Sequence, residues 1–211
     1  MLKVYGTPVS RAARTLWICR ELGLEYEHVP VHFVDGGTKS ADYLAVNPAG
    51  KIPAIDDNGF RLAESMAINV YLAKKHDSDL IPKDLEGEAR VLQWSFWAMT
   101  EIEKPLLNIL MQRMELAPGS PAEKYFRERS PKDPKVEPAA LEALRTPLTY
   151  MNQQLAQREY LLGSSFTVAD LNVASIMGFA LMAKLDLSGY PNVQQWLNRC
   201  MARPAARAKK A

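Results

Sequence analysis

Apolar and polar positions follow two rhythms along the 211 residues. In the first third, short runs switch between a strand-like and a helix-like period. Leu2 to Tyr5 predicts a brief strand. Ser10 to Leu22 predicts a helix, because Ala12, Leu16, Cys19 and Gly23 fall at i, i+4, i+7 and i+11 on one face. Glu25 to Val31 predicts a second strand and Lys39 to Val46 a short helix. Ile52–Ile55 and Phe60–Leu62 flank Asp57-Asn58-Gly59, where Asn-Gly suits the positive φ of a tight hairpin turn. Ser65 to His76 predicts a helix with Ile68, Tyr71 and Leu72 turned inward. A strand, helix and strand followed by a hairpin and a helix imply a mixed sheet covered by helices. The first two strands should be parallel, joined by a right-handed crossover.

After the polar, proline-bearing stretch 77–85 the helical period takes over. Glu86 to Leu116 predicts one long helix rich in Trp, Leu and Met. Pro118 to Pro138 holds five prolines and predicts loop or short helical pieces. Glu137 to Arg158 is again helical. In Phe166-Thr167-Val168-Ala169-Asp170-Leu171, Thr167 can cap a helix start, Asp170 can reach back to it, and Phe166 can staple on Leu171. That helix should run to about Lys184, and a last one spans Tyr190 to Met201 with Pro191 in its first turn. The pattern therefore gives an α/β domain over 1–76, a linker over 77–85 and an all-helical domain over 86–211, with no internal repeat.

Composition narrows the setting. Hydrophobic residues make up 47% and charged ones 24%, the profile of a globular domain. A net charge of +2, from 26 basic and 24 acidic residues, argues against nucleic acid as a partner. The basic end ARPAARAKKA reads as a frayed tail. No apolar run is long enough to span a bilayer, and the start MLKVYGTPVS lacks the apolar core of a signal peptide. A cytoplasmic, non-membrane protein is expected. Cys19 and Cys200 lie far apart, which argues against a disulfide framework or a thiolate metal site. His28, His32 and His76 lack metal-ligand spacing, so no metal is expected.

Three stretches carry candidate chemistry. In VYGTPVSRAARTL a strand turns into a helix, as in redox proteins of the thioredoxin type, where two cysteines stand two residues apart. Here those places hold Thr7 and Ser10. A helix start presents unpaired N–H groups and a partial positive charge, which stabilise a thiolate, and the Ser10 hydroxyl can give it one more hydrogen bond. A plain helix cap accounts for Ser10 as well. In NPAGKIP, a proline opening a strand removes a ladder donor. A cis bond before Pro53 would explain it and would leave the backbone of Ile52 free at the sheet edge to pair with an extended peptide. An ordinary edge-strand proline is the simpler alternative. At Ala63-Glu64-Ser65, Ser65 and a helix N-terminus suit a carboxylate, and Glu64 suits an ammonium. A cap with a solvated acid beside it remains open. Together the three describe a site for a small peptide with an amino-acid head, an extended middle and a thiol, which are the parts of glutathione.

Along nearly its whole length the chain resembles the glutathione transferase superfamily. TPVSRAARTL is similar to the serine-type active-site turn of the phi-like and theta-like branches and their bacterial relatives. NPAGKIPAI followed by LAESMAI is similar to the glutathione-binding signature, and FTVADL to the capping box of the helical domain. The resemblance implies a thioredoxin-like N-terminal domain, an all-α C-terminal domain, and detoxification-type conjugation of glutathione as co-substrate. It implies that Ser10 stabilises the thiolate, that Ile52 pairs through its backbone before a cis Pro53, and that Glu64 and Ser65 hold the γ-glutamyl head. Lys39 and Lys51 would lie near the glycyl carboxylate. Tyr5 is a second candidate for the role of Ser10, and Thr7 a third. Family members are usually homodimers. The electrophile pocket is expected between the domains, lined by Val9, Trp94, Trp97, Met111 and Met114, although core packing explains the last four as well. The alternatives are a non-catalytic binding or regulatory module of this fold, or a glutathione-dependent peroxidase or reductase.

Overall fold

The computed structural model describes residues 1–207, which form two compact units, Met1–Ile81 and Pro82–Arg207. In the first unit the elements run β1 (Leu2–Tyr5), α1 (Ala12–Glu21), β2 (Tyr26–Val29), α2 (Ala41–Val46), β3 (Ala54–Asp57), β4 (Phe60–Ala63) and α3 (Ser65–Lys75). A single 3₁₀ turn, Gly37–Lys39, precedes α2, so the predicted helix over Lys39–Val46 divides at Ser40. Ser40 ends the tight turn with extended backbone and caps α2 by accepting the Tyr43 N–H.

The sheet has the order β2-β1-β3-β4, with β1 parallel to β2 and antiparallel to β3, and β3 antiparallel to β4. Alternation along the strands sorts the layers. Tyr5, Ala54 and Ala63 share a cluster with Tyr43, Val46 and Val31 on the side of α2. Val4 and Ile55, opposite each other and fully buried, face the other way, where α1 and α3 pack with Leu16, Ile18, Ile68 and Leu72. At the hairpin turn Asn58 and Gly59 both have positive φ, as the Asn-Gly pair predicts.

The second unit is helical: α4 (Leu85–Trp97), α5 (Glu103–Arg113), α6 (Pro121–Arg129), α7 (Val136–Gln154), α8 (Val168–Met182), α9 (Pro191–Met201) and α10 (Pro204–Arg207). The single helix expected over Glu86–Leu116 is interrupted by a π turn at Ala98–Ile102. Pro105 supplies the reason. It has no N–H to give to the carbonyl of Glu101 and its ring crowds that oxygen, so the turn just upstream widens. The proline-rich segment is not a bare loop. Ser120 caps α6, and Lys132 closes the end of α5 by donating to the carbonyls of Met111, Gln112 and Met114 at 2.8, 2.7 and 3.0 Å. The expected frayed tail is helical at Pro204–Arg207, and residues 208–211 lie outside the described residues. Among the described residues, no helix is long and apolar enough to cross a membrane.

Candidate functional site

The turn after β1 takes its shape from Gly6, whose φ of +135° only glycine adopts without strain. A Cβ there would come within 2.6 Å of the Ala12 Cβ and 3.3 Å of the Ile52 Cβ. Close approach at Gly6 therefore lets α1 and the segment before β3 meet.

Ser10 sits in this turn, half-buried, two residues ahead of α1. α1 thus starts two residues later than expected, and its N-cap is Arg11, without a side-chain cap. The Ser10 hydroxyl donates to the Thr7 carbonyl at 2.7 Å and accepts the Ala12 N–H at 3.1 Å. The Ser10 N–H also reaches the Thr7 carbonyl at 3.0 Å, while the N–H groups of Ala13 and Arg14 bond to the carbonyls of Ser10 and Arg11. The open N–H groups expected at this helix start are therefore taken by the turn itself. Thr7 is buried, and Val9 beside Ser10 is 81% exposed. Tyr5 lies on the α2 side of the sheet, its ring 6.1 Å from that of Tyr43.

Ile52 precedes a cis peptide bond to Pro53. Its place differs from the expected sheet edge. β3 is an inner strand, paired on both sides from Ala54 to Asp57, and Ile52 lies beyond the end of both ladders. Extending the two registers sets Ile52 level with Thr7 on one side and with Ser65 on the other. The segment before Ile52 is firmly held. The Lys51 carbonyl accepts from the Tyr43 hydroxyl and, at 2.7 Å, from the Asn47 side-chain amide. Burial pushes the Tyr43 hydroxyl up to about 12, so it stays a donor at any working pH. Gly50, at φ +59°, lets the Lys39 ammonium come in over the loop, since a Cβ there would lie 2.7 Å from it. Lys39 and Lys51 are both exposed.

Glu64 and Ser65 begin α3. Glu64 is exposed and has φ +69°, a left-handed value rare for a residue with a Cβ and costing about 1 kcal/mol or more. It is the N-cap without a side-chain cap, so the first-turn N–H groups of Ser65, Met66 and Ala67 have no acceptor from the helix or its cap. The helix end with open N–H groups is therefore that of α3 rather than that of α1. Ser65 is not the cap. It is buried, and its Oγ accepts a hydrogen bond at 3.4 Å from Arg14 on α1, itself only 2% exposed. The sequence reading passed over Arg14, although its place one helical turn after Ser10 was the available signal. It also passed over Tyr43 and Asn47.

Ser10, Ile52, Glu64 and Ser65 thus gather at one end of the sheet, and Lys39, from the turn before α2, reaches over the Gly50 loop that leads through Lys51 to Ile52. The candidates in the second unit do not form one group. Trp94 and Trp97 pack edge to face with ring centres 5.1 Å apart, and each lies 5.7 to 5.8 Å from the tilted ring of Tyr150. Trp94 also lines an open cavity of about 340 Å³ with Arg90, Gln93, Tyr150 and Gln154. Met111 in the last turn of α5 and Met114 just past its end stand about 20–30 Å of helical rise away.

Known proteins of the same build fit this arrangement. The family model for the glutathione S-transferase N-terminal domain matches residues 1–74, and that for the C-terminal domain matches residues 104–204. The chain is 33% identical to a probable glutathione S-transferase, GSTF2, of Oryza sativa subsp. japonica, over 97% of this chain and 94% of that protein. Its fold matches glutathione transferase F7 from Populus trichocarpa with a TM-score of 0.85 and 29% identity, covering 98% of this chain and 96% of the other. It also matches glutathione S-transferase-I bound with lactoylglutathione, with a TM-score of 0.83 and 30% identity over 98% and 96% of the two chains. With both family domains in order and a relative of this identity along almost its full length, the chain belongs to the glutathione S-transferase superfamily.

Proposed function

We propose that Ser10 serves the thiolate of bound glutathione in this glutathione transferase, and that the peptide lies along the end of the sheet from Lys39 and Lys51 to the start of α3. One observation carries this reading. Extending the register of β1, β3 and β4 sets the backbone of Ile52 level with Thr7, to which the Ser10 hydroxyl is bonded, and with Ser65 at the open N-terminus of α3. The cysteinyl backbone of glutathione pairs with Ile52, the head-group carboxylate meets the N–H groups of α3 and Ser65, and the head-group ammonium meets Glu64. The glycyl carboxylate lies toward the two lysines.

A free thiol with a pKa of about 8.5 is only a few per cent ionised at neutral pH. Because the N–H groups of Ala12, Ala13 and Arg14 are already used, the stabilisation falls on the Ser10 hydroxyl. Its proton can swing from the Thr7 carbonyl to the sulfur, and that carbonyl still keeps the Ser10 N–H. A hydrogen bond to a charged group contributes about 1.5–3 kcal/mol, or at least one pKa unit. The thiol proton leaves to solvent. The thiolate then forms a carbon–sulfur bond with an electrophilic carbon, and the displaced electron pair departs with a leaving group or takes up a proton. Val9 offers an apolar contact to the acceptor. The protein acts in the cytoplasm and as a homodimer. An apolar stripe on α4, in which Leu85, Leu92 and Phe96 share one face and stand open to solvent, supports the second point.

The test is Ser10→Ala, assayed with glutathione and an activated aryl chloride. The rate should fall by about tenfold or more, in line with the loss of a charge-assisted hydrogen bond, while calorimetric affinity for glutathione changes by less than about twofold. A variant as active as the parent would reject Ser10 and move the role to Tyr5 or Thr7.

A further inference from the structure

Arginine is among the residues least often fully buried, since a guanidinium taken out of water needs acceptors to replace its hydration. Arg14 has 2% of its surface exposed, and Ser65 at the first position of α3 is one of its partners. We propose that Arg14 is a positioning residue for the amino-acid head of glutathione, acting through Ser65. This rests on the binding reading above and adds to it a residue that does not touch the ligand.

Four points support the assignment. Arginine has only donors to offer, so the Ser65 oxygen must be the acceptor in the 3.4 Å contact. A hydroxyl that accepts from one side keeps its own proton for another acceptor, and here the open N–H groups of the same helix turn await an anion. Arg14 also places a fixed positive charge at the helix end whose partial charge is already positive, which favours a carboxylate there. Finally, Arg14 stands in the first turn of α1, four residues after Ser10, and α1 packs against α3. One rigid helix therefore carries the guanidinium that sets Ser65 and leads out of the turn that sets Ser10, fixing the distance between the head-group end and the sulfur end.

The experiment is a double-mutant cycle in the full-length chain. Arg14→Met, Ser65→Ala and the double variant are compared with the parent for calorimetric glutathione affinity and for KM and kcat with an activated aryl chloride. Arg14→Met should weaken glutathione binding by about tenfold and raise KM in step, with kcat at saturating glutathione within about threefold. Ser65→Ala should give a similar loss, and the double variant should bind no more weakly than the worse single one, because the two residues act as a unit. Arg14→Lys keeps the charge on a shorter, non-planar stem and should recover part of the affinity. Additive losses in the cycle, or a fall in kcat with KM unchanged, would overturn the proposal. If Arg14→Met does not fold by circular dichroism, the cycle of Arg14→Lys with Ser65→Ala decides by the same criterion. A parent protein that binds no glutathione removes the binding reading and this inference together. A parent that binds, with uncoupled variants, removes this inference alone.

Discussion

At Ser10 the proposed role gives a single hydroxyl two employments. Without a ligand it gives its proton to Thr7 and takes one from Ala12, which closes the turn. Serving a sulfur means giving up only the first of these bonds, and the Thr7 carbonyl does not lose its last donor. Serine suits the position because its short side chain can bond to its own backbone and still rotate. The chemistry at Asp170 is the opposite, since all of its bonds are permanent. One carboxylate oxygen accepts from the Thr167 N–H and hydroxyl at 2.9 Å, and the other from the Leu161 N–H and the Trp196 indole at 2.8 Å. Burial pushes this carboxyl up, and the four donors oppose it. Asp170→Ala should cost about 3 kcal/mol or more in urea unfolding, because it strands buried N–H groups of three residues, while Asp170→Asn should cost less. The FTVADL pattern announced this reach back from Asp170. It gave no sign of Trp196, which lies 26 positions further along the chain.

Among the elements, helix ends and strand ends set which backbone groups the first unit leaves open. α1 and α3 both begin at the same end of the sheet, yet the N–H groups of one are spent on a turn and those of the other stay open. The difference lies in local backbone. The turn 7–11 winds tightly into α1, whereas Glu64 at positive φ starts α3 abruptly. The β3–β4 hairpin is fastened to α3 through Asp57, which accepts from Tyr71 at 2.8 Å, from Asn58 at 3.0 Å and from Lys75 in an ion pair. Burial alone would raise the Asp57 carboxyl. The hydrogen bonds from Lys75 and Tyr71, with the Lys75 charge, bring it below the ordinary range. A carboxyl depressed in the folded state contributes stability that is in place above its unfolded pKa of about 4 and is lost as pH falls through the folded value. The gap in urea midpoint between the parent and Asp57→Asn should therefore be widest near neutral pH and shrink between about pH 5 and pH 2. A gap independent of pH would show that the hairpin is fastened by other contacts.

For the molecule as a whole, the pairing of a small mixed sheet with a larger helical unit is the one that both family domains predict. The exposed stripe on α4 is the feature that a single copy leaves unexplained. Leu85 and Phe96 are 84% and 67% exposed, a poor use of large apolar side chains unless another surface covers them. If a second copy does, Phe96→Glu should convert a dimer into a monomer in light scattering at micromolar concentration, leaving the circular dichroism spectrum unchanged. A parent protein that is already monomeric would remove the homodimer from the proposal.

The order of strands and helices, the parallel first pair, the Asn-Gly hairpin and the box at Thr167 and Asp170 were all legible in the sequence. Each is set by residues within a few positions of one another, through periodicity, turn chemistry or capping. So were the turn at Ser10, the cis bond before Pro53 and the helix start at Ser65, because turns and helix starts impose local composition. What the sequence could not supply depends on contacts across the chain. Only the register of three strands brings Ile52 level with Thr7 and Ser65. Only the packing of α1 on α3 carries Arg14 to Ser65. Whether a helix end stays open depends on which neighbours its N–H groups find. The VYGTPVSRAARTL stretch predicted a hydroxyl and a helix start acting together on a thiolate. In the folded chain the open helix end is that of α3 instead, because hydrogen bonds of the turn itself satisfy the start of α1.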